Sequence, residues 1–508
     1  NAGRIRGINS RIRGGEVQHT GIIPFLKKFE ATVKCCTQNG VRGGSATVHF
    51  PIWHQEIEDI LVLKNNKGSD DNRVRKLDYS IQLSKLFYER FIKNEDITLF
   101  SPHEVPELYE TWGTDKFDEV YEAAERKTSV YKKKINAQIL FMNMLKERAE
   151  TGRIYIMNID HCNTHSSFKD IIRMSNLCQE ITLPTEPLQH IDGEGEIALC
   201  ILSAINVGKL VYFDDLETLC DLSVRALDEI IEHQGYPVKA AEISTKSRRS
   251  LGIGYIGLAH YLAKTGYNYN EKGAWEAVDE LTEYFQYYLL KSSNNLAKEK
   301  GKCEYFDRTK YSDGVLPIDT YKKEVDEIVN RKLSLDWESL RKDIIEHGLR
   351  HSTLSAQMPS ESSSVVSNAT NGIEPPRDFL SIKKSKQGPL KQVVPQYFSL
   401  KSKYTLLWGM GGNTGYINIV AVMQKYFDQA ISGNWSYNPE DYEENQVPLS
   451  VMAQDLLTTY KLGWKTSYYQ NTYDGKMDED DKPDVLEDDS VYKEEELTEE
   501  EECESCTI

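Results

Sequence analysis

The sequence predicts an α/β fold, and two observations support this. Short, continuous apolar runs such as RIYIMNI and ALCILSAIN are typical of buried strands, and they alternate with longer segments whose apolar residues recur at helical spacing. Strands that alternate with helices along a chain are typical of α/β proteins. Because no apolar run approaches the ~20 residues of a membrane span, we expect a protein without membrane contact.

Residues 1–50 are predicted as loop, helix and loop, and residues 80–150 as mostly helical. GIIPFLKKFEATVKCC has helical spacing and lies between two loops rich in Gly and Arg, GINSRIRGGE and TQNGVRGGSA. KKINAQILFMNMLKERAE predicts another helix. The N-terminus is basic but lacks an apolar core, so we expect no secretory signal.

The second half of the chain predicts further helices, an insertion and a last strand. LCDLSVRALDEIIEHQ and AVDELTEYFQYYLLKSSNNLAKEKG are amphipathic helices, the second closed by Gly301. Residues 301–345 are more polar and are broken by Gly and Pro, which suggests a small inserted α/β unit. GYINIVAVMQKYFDQAISGN predicts a helix and KTSYYQNTY the last strand. The predicted divisions are residues 1–300, 301–345, 346–473 and 474–508.

The net charge of −18 belongs mainly to the last division, the tail. From Asp478 to Ile508 there are sixteen Asp or Glu and two Lys, which leaves only −4 for the rest of the chain. Such a segment cannot bury enough apolar surface to offset the entropy of ordering, so we predict a disordered tail. Because acidic tails repel nucleic acid, we expect no direct nucleic-acid binding.

Nine cysteines are scattered along the chain. An odd number without a secretory signal favours a reducing, cytoplasmic setting over a disulfide framework. Cys503 and Cys506 stand at the end of the acidic tail, where a structural disulfide would have no fold to hold together.

SNLCQE places Asn176, Cys178 and Glu180 two residues apart. In an extended segment all three side chains would point to one side. An amide can hold hydroxyl groups, a carboxylate can take a proton, and a thiol can act as a nucleophile or carry a hydrogen atom. On spacing alone, a cysteine flanked by polar residues is usually unremarkable.

Two other motifs are weaker. GIGYIG matches a dinucleotide-binding pattern, with Glu276 about twenty residues further on, but the absence of a predicted strand before it favours close backbone packing at a helix start. In HCNTH, His161, Cys162 and His165 have no second ligand pair at the spacing of a zinc site. We therefore interpret them as a polar network and expect no metal ligands in this chain.

Five motifs occur in order: RMSNLCQEITLPTEP, GEIALCILSAIN, MPSESSSVVSNATNGIEPPR, KTSYYQNT and the terminal cysteine pair. Together they resemble the large, catalytic subunit of aerobic, tyrosyl-radical-dependent (class I) ribonucleoside-diphosphate reductases. The resemblance implies the C-terminal part of a ten-stranded α/β barrel around a finger loop. The chain is similar to the C-terminal product of a split large subunit, as in some phages related to T4. We therefore expect it to need a companion chain.

The resemblance assigns the catalytic residues. Cys178 would become a thiyl radical and abstract the ribose 3′ hydrogen, Glu180 would take the 3′-hydroxyl proton, and Asn176 would bind the hydroxyls. Cys200 would be one of two thiols that reduce the 2′ position. The family partner of Cys200 is not in the sequence, and without the resemblance Cys200 would be an ordinary core cysteine.

Tyr468 and Tyr469 would form a stacked relay that carries the radical from a small subunit, whose tyrosyl radical forms beside a di-iron or di-manganese centre. Without the resemblance they would be a half-buried aromatic pair. Because adjacent residues of a strand face opposite sides, we expect the backbone to depart from regular β geometry there.

The substrate and effector sites follow from two further matches. The substrate diphosphate would bind at Pro359, Ser360, Glu361, Ser362 and Ser363, where the alternative is a simple helix cap by Ser360 or Ser362. The effector nucleoside triphosphate would bind at Arg6 and Arg13, and Gln38 and Arg42 would relay its identity to the substrate base.

In the family, the tail cysteines enter the active site, reduce its disulfide by exchange, and are then reduced by thioredoxin or glutaredoxin. About thirty flexible residues reach roughly 30 Å, which suits Cys503 and Cys506 to this role. The implied activity is reduction of ribonucleoside diphosphates for DNA synthesis in the cytoplasm, of the host if a phage encodes the chain.

Two alternatives compete with this interpretation. A regulatory or assembly remnant of the fold, without catalysis, should have lost some of the motif residues that are all retained here. A thiol–disulfide oxidoreductase built on Cys503 and Cys506 would need a folded setting at a helix start.

Overall fold

A computed structural model describes residues 1–38, 42–188, 190, 193, 195–385 and 388–475, without the side chains of residues 38, 42, 383–385 and 388–390. Residues 1–472 form one compact unit. A second unit, Tyr473–Ile508, is described only at residues 473–475. The predicted tail, with Cys503 and Cys506, lies outside the described residues.

The described strands are β1 Arg11–Ile12, β2 Val17–Gln18, β3 Thr37–Gln38, β4 Arg42–Gly43, β5 Thr47–Pro51, β6 Asp78–Leu83, β7 Asp96–Phe100, β8 Lys132–Asn136, β9 Ile154–Asn158, β10 Ile201–Asn206, β11 Leu251–Ile256, β12 Leu380–Ser385, β13 Gly388–Val393, β14 Trp435–Tyr437, β15 Thr466–Ser467 and β16 Gln470–Thr472. The α-helices are α1 Ile23–Cys35, α2 Ile57–Leu61, α3 Lys85–Lys93, α4 Pro106–Thr111, α5 Phe117–Arg126, α6 Ala137–Thr151, α7 Ile159–Thr164, α8 Phe213–His233, α9 Lys239–Arg248, α10 Leu258–Thr265, α11 Lys272–Lys300, α12 Pro317–Thr320, α13 Trp337–His347, α14 Glu361–Val366, α15 Tyr397–Leu400, α16 Thr414–Gln424 and α17 Leu449–Lys461. The 3₁₀ segments are Arg13–Gly15, Asp70–Asn72, Val207–Lys209, Phe306–Arg308, Lys310–Asp313, Lys323–Glu327, Lys401–Lys403, Leu407–Gly409, Pro439–Asp441 and Glu443–Asn445.

A four-stranded sheet lies at the centre of the first unit, in the order β15-β9-β6-β5. β5, β6 and β9 run parallel, whereas the short β15 is antiparallel to β9. Every residue of β6 and β9 is buried. Parallel strands buried on both faces are typical of α/β architecture, as the alternation of elements predicted.

A second parallel pair, β10 and β11, carries much of the remaining core. The chain crosses from β10 to β11 through α8 and α9, which makes a β-α-β unit, and α8 packs against the long helix α11. Among the described residues, β10 pairs with β11 alone. One edge of β10 therefore has no strand partner within this part of the chain.

Most of the predicted elements are confirmed. RIYIMNI contains β9 and GIIPFLKKFEATVKCC contains α1, while all but the last residue of each long amphipathic segment lies within α8 or α11. Gly301 ends α11 with φ at 87°, a backbone conformation that glycine adopts without strain.

Three predicted elements differ from the structure. The segment KKINAQILFMNMLKERAE begins in β8, which pairs with β7, and becomes helical only after Asn136 accepts the capping hydrogen bond of Ile139. Tertiary strand pairing therefore overrides the local helical pattern. The predicted last strand divides into β15 and β16. Residues 301–345 contain short helices and no strand, rather than an α/β unit, while the division boundaries stay a prediction.

GIGYIG lies at the end of β11 and the turn that follows. Gly252 and Gly254 are inside the strand, whereas the dinucleotide fingerprint places its glycines in the turn after a strand. A Cβ at Gly252 would lie 2.8 Å from Cys200 Sγ, and one at Gly254 would lie 2.7 Å from the Ala356 backbone oxygen. The glycines therefore permit close packing, as predicted.

We expect the substitution Gly257→Ala to destabilise the fold more than Gly266→Ala. Both residues have φ near +80°, at 81° and 83°, so each substitution costs about 1 kcal/mol in backbone strain. A Cβ at Gly257 would also lie 2.5 Å from Asn206 Oδ1, whereas a Cβ at Gly266 meets nothing within 4 Å. We expect a further loss of about 1–3 kcal/mol at Gly257, measured by urea unfolding. Equal losses would contradict the tight packing assigned to the start of α10.

No helix in the described part of the chain combines the length and the apolar character that a membrane crossing requires.

Candidate active site

Asn176, Cys178 and Glu180 lie in a turn rather than in an extended segment, so the predicted extended geometry is wrong. Gln179 adopts φ of 75°, and its backbone N–H donates to the Asn176 backbone oxygen at 3.4 Å. Asn176 Oδ1 accepts the Ile181 amide at 3.1 Å. The turn brings the Asn176 amide side chain to the Glu180 carboxyl by folding the backbone, not by strand alternation.

Ser432 links the cysteine to the glutamate. Its hydroxyl contacts the backbone oxygen of Cys178 and lies 3.1 Å from Glu180 Oε2. Glu180 is only 2% exposed, and burial raises the pKa of its carboxyl, although hydrogen bonds from its own amide, Asn176 and Ser432 act in the opposite direction. A carboxyl whose pKa lies above the usual range is suited to accept a proton near neutral pH.

Tyr468 joins Cys178 to Tyr469. The Tyr468 hydroxyl donates to Cys178 Sγ at 3.5 Å, and the two tyrosine rings lie 3.8 Å apart between centroids at an interplanar angle of 34°. Both residues lie between β15 and β16 and outside either strand, which is the predicted departure from β geometry. Tyr468 is 3% exposed, whereas Tyr469 and Cys178 are partly exposed, so the three side chains form a continuous line of contact that passes through the buried Tyr468.

Two side chains at β9 pack on the tyrosine pair. The Tyr155 ring lies 4.8 Å from the Tyr468 ring and 5.8 Å from the Tyr469 ring, and the Arg153 guanidinium carbon lies 4.5 Å from the centre of the Tyr469 ring. Burial, with smaller effects of Tyr155 and Cys178, raises the pKa of Tyr468 far above its usual value. Loss of its proton alone is therefore strongly disfavoured.

Cys200 immediately precedes β10, and Gln429 holds it in place. Gln429 Nε2 lies 3.9 Å from Cys200 Sγ and donates to the Leu251 oxygen at 2.8 Å, while its Oε1 accepts the Thr182 amide at 3.2 Å. One amide side chain therefore ties the thiol to β11 and to the segment after Glu180. Burial raises the pKa of Cys200, so it rests as a neutral thiol.

A buried lysine fixes the loop that carries Gln429. Lys465 Nζ donates to the backbone oxygens of Phe427, Asp428 and Gln429 at 3.3, 2.9 and 2.7 Å. Lys465 is fully buried, and burial lowers its pKa to about 7. The lysine therefore orders the loop through hydrogen bonds with backbone oxygens rather than through an ion pair.

The predicted diphosphate segment lies at the start of α14. Ser360 is the N-cap residue, but its side chain makes no capping hydrogen bond to the helix, so the capping alternative is wrong for Ser360. Pro359, Glu361, Ser362 and Ser363 are exposed, whereas Ser360 is 5% exposed. The exposed hydroxyls and the first amides of α14 are groups that hydrogen-bond phosphate oxygens.

The predicted effector residues lie before β5, with Arg6 ahead of the β1–β2 hairpin, Arg13 in it, and Gln38 and Arg42 in the β3–β4 hairpin. Arg6 donates to the Arg11 backbone oxygen at 3.3 Å, and Arg13 is exposed at φ of 50° in the turn between β1 and β2. Gln38 and Arg42 belong to β3 and β4, and their side chains lie outside the described residues.

A hydrogen bond links this N-terminal region to the turn that contains Cys178. Thr47, the first residue of β5, donates from Oγ1 to the Leu177 backbone oxygen at 2.9 Å. The loop that carries Gln38 and Arg42 therefore leads directly into a strand that contacts the residue before Cys178.

The HCNTH motif forms the polar network that was predicted. His161 Nδ1 lies 3.0 Å from the Trp464 oxygen, and the two ring nitrogens of His165 contact Thr320 Oγ1 and the Gln424 oxygen at 2.8 and 2.6 Å. These contacts bind α7 to the segment that leads into β15.

Sequence reasoning missed Ser432, Gln429, Tyr155 and Lys465. FDQAISGN was assigned to a helix, but α16 ends at Gln424, and the residues that follow form the loop beside Cys178 and Cys200. Gln429 and Ser432 lie about 230 to 250 residues from Cys200 and Glu180, the residues that they contact. No local spacing indicates contacts over such separations.

The comparisons with known proteins all point to one enzyme family. A family model described as "Ribonucleotide reductase, barrel domain" matches residues 1–470. The chain is 56% identical over 484 residues to "Ribonucleoside-diphosphate reductase subunit alpha" of Haemophilus influenzae, covering 94% of this chain and 64% of the relative. It is 54% identical over 487 residues to "Ribonucleoside-diphosphate reductase 1 subunit alpha" of Escherichia coli K12 (95% and 64% covered), and 46% identical over 490 residues to the subunit alpha of Enterobacteria phage T4 (94% and 64% covered). The chain thus spans 64%, less than two thirds, of the length of these relatives.

Proposed function

The chain belongs to the ribonucleotide reductase family, and from this premise we propose that it carries the catalytic centre of a reductase that converts ribonucleoside diphosphates to 2′-deoxyribonucleoside diphosphates. The reaction would supply DNA precursors in the cytoplasm. The names of the relatives support the substrate class. The radical would come from a small subunit with a tyrosyl radical at a di-iron or di-manganese centre.

One observation carries the proposal: the line of contact from Tyr469 through Tyr468 to Cys178. The stacked rings at 3.8 Å and the hydroxyl-to-sulfur contact at 3.5 Å support stepwise transfer of an electron together with a proton. Tyr469 accepts the radical near the surface, Tyr468 passes it on, and Cys178 loses its S–H hydrogen. A structural aromatic pair would have no need to end on a thiol.

The surrounding groups support the chemistry that follows. The Cys178 thiyl takes the ribose 3′ hydrogen, Glu180 accepts the 3′-hydroxyl proton, and Asn176 holds the hydroxyls. The 2′-hydroxyl leaves as water, two thiols supply two electrons and two protons and become a disulfide, and the 3′ hydrogen returns from Cys178. Ser432 keeps Glu180 aligned with Cys178 throughout.

Cys200 is proposed as one of the two reducing thiols. Leu199 and Leu202, beside the unpaired edge of β10, are 37% and 45% exposed, and an unpaired edge with apolar side chains readily accepts another strand. We propose that the second thiol arrives on such a strand, in a companion chain as in a split large subunit or in a longer form of this chain.

The remaining sites complete the proposal. Residues 359–363 bind the substrate diphosphate, Arg6 and Arg13 the effector triphosphate, and Gln38 and Arg42 pass the effector's identity to the substrate. The contact between Thr47 and Leu177 supports such a connection. The barrel comprises residues 1–300 and 346–473 around the insertion at 301–345, and residues 474–508 carry the redox pair.

The proposal is tested by reconstitution. The chain, the small subunit and the complementary large-subunit segment of a relative should together convert ribonucleoside diphosphates to deoxynucleotides. We expect no sustained turnover when the complementary segment is omitted, since Cys200 then lacks a partner thiol. Full turnover without that segment would refute the need for a second thiol-bearing strand. No turnover with all components present would refute the catalytic role and favour the alternative, an inert assembly remnant.

We expect the double substitution of Cys503 and Cys506 by Ser to limit the reconstituted enzyme to about one product per active site when thioredoxin or glutaredoxin is the reductant. The active-site thiols deliver one electron pair unaided, but a protein reductant is too large to reach their disulfide. Dithiothreitol is small enough to enter, so it should restore slow multiple turnover. Undiminished turnover with thioredoxin would contradict the shuttle role of the tail.

A further inference from the structure

The backbone of Tyr468 and Tyr469 passes from one sheet to another. β15 ends at Ser467, opposite Ile156 of β9, and β16 begins at Gln470, opposite Trp435 of β14. The two tyrosines therefore lie outside both strands, although the Tyr469 oxygen still accepts the Trp435 amide of β14. Because buried peptide groups without hydrogen bonds are costly, their N–H and C=O groups need partners from elsewhere.

The two N–H groups are satisfied by the loop before β14. The Tyr468 amide donates to the Gly433 backbone oxygen at 2.7 Å, and the Tyr469 amide donates to Asn434 Oδ1 at 3.0 Å. Asn434 is itself oriented, since its Nδ2 donates to the partly buried carboxyl of Glu374 at 2.6 Å. A side-chain amide therefore takes the place of a strand carbonyl at Tyr469.

The two carbonyl groups are held by one guanidinium. Arg148 Nη1 donates to the Tyr468 oxygen at 2.7 Å and Nη2 to the Tyr469 oxygen at 3.2 Å. The Trp435 amide also donates to the Tyr469 oxygen at 2.9 Å. The planar fork of an arginine can span two successive carbonyls, whereas the ammonium of a lysine acts as a point charge.

Besides the two tyrosine oxygens, Arg148 contacts the Trp435 ring and the backbone of β9. It is fully buried, its guanidinium lies 4.6 Å above the Trp435 ring, and it also donates to the Ile154 oxygen. Among the described residues the Arg148 guanidinium forms no ion pair with a carboxylate, and burial lowers its pKa to about 10. A buried cation without a paired carboxylate is unfavourable for stability, so its presence points to a requirement for the geometry that it imposes.

We propose that Arg148, assisted by Asn434, is a positioning residue that holds Tyr468 and Tyr469 in the stacked arrangement needed for radical transfer. Without the fork, the segment can relax toward a regular strand, in which adjacent rings face opposite sides. The stacking follows from the contacts alone, whereas its use in radical transfer rests on the proposed function.

The first test compares two buried arginines in the reconstituted enzyme. We expect R148K to lower kcat on the order of 10²-fold, as small misplacements of reacting groups do, while KM for the diphosphate stays within about twofold. Arg248 is the matched control, because it is 1% exposed but pairs with Glu196 and Asp170 instead of the tyrosines. R248K should leave kcat per folded molecule near the wild-type value. Equal kcat losses in the two variants, or an unchanged kcat in R148K, would overturn the proposal.

The second test measures the stacking of the Tyr468 and Tyr469 rings by ¹⁹F magnetic resonance. A fluorotyrosine at position 469 gives a ¹⁹F resonance that depends on the neighbouring ring, and we expect it to shift in R148K and in N434A but not in R248K. If R148K does not fold, the ¹⁹F resonance of N434A tests the positioning instead. This variant removes the partner of the Tyr469 backbone N–H and leaves Arg148 in place. Shifted resonances with an inactive wild-type enzyme would uphold the positioning and refute the proposed function. Unshifted resonances with an active wild-type enzyme would refute the positioning alone.

Discussion

The reconstituted enzyme with Cys178→Ser should make no deoxynucleotide, a loss of about 10⁴-fold or more in kcat, which corresponds to about 5.5 kcal/mol in the barrier. An O–H bond is too strong for a serine to form the radical that the thiol forms, although the side chains are similar in size. The Tyr468 hydroxyl would still have a partner within reach, so the fold and substrate binding should persist. Product formation and diphosphate binding, measured on the same preparation, separate the two effects.

Cys220→Ser is the matched control for this experiment. Cys220 is a buried thiol whose Sγ lies 3.8 Å from the Phe285 backbone oxygen, away from the tyrosine pair. Its substitution should reduce stability slightly without reducing kcat per folded molecule. Retained turnover in Cys178→Ser would show that another residue forms the substrate-attacking radical.

Local patterns in the sequence were sufficient to predict many of the helices and strands. Helical spacing identified α8 and α11, a continuous apolar run identified β9, and the glycine that ends α11 was recognised from its position after the last periodic residue. These features depend on residues a few positions apart, so a single sequence contains their signal. The motif around Cys178 likewise singled out the turn that contacts Tyr468 and Ser432, although its backbone conformation was wrongly expected to be extended.

Contacts between distant segments could not be predicted in this way. KKINAQ has a helical pattern, yet pairing with β7 makes it a strand. The serine beside Glu180 and the arginine beneath the tyrosines are separated from their partners by 252 and 320 residues. Nothing in a stretch such as FDQAISGN or LKERAE distinguishes a site residue from a surface residue until the fold brings its partner close.

The second large loss of turnover is expected from a substitution of Tyr469. Tyr469→Phe should abolish turnover while diphosphate affinity stays within about twofold of the wild-type value. A phenylalanine ring can keep both the stacking on Tyr468 at 3.8 Å and the position under Arg153 at 4.5 Å. It has no hydroxyl proton to release, however, and is much harder to oxidise, so the radical cannot enter the path to Cys178.

Tyr79→Phe controls for the loss of a tyrosine hydroxyl. The Tyr79 hydroxyl is buried in the central sheet and donates to the Val74 oxygen at 2.7 Å, so its removal should cost about 1 kcal/mol of stability and no activity. The decisive measurement is product formation with the small subunit, together with the electron paramagnetic resonance signal of the small subunit's radical, which should persist unused in Tyr469→Phe. If Tyr469→Phe makes product at the wild-type rate, the radical reaches Cys178 by another route, and the stacked pair, with the arginine beneath it, serves the fold instead.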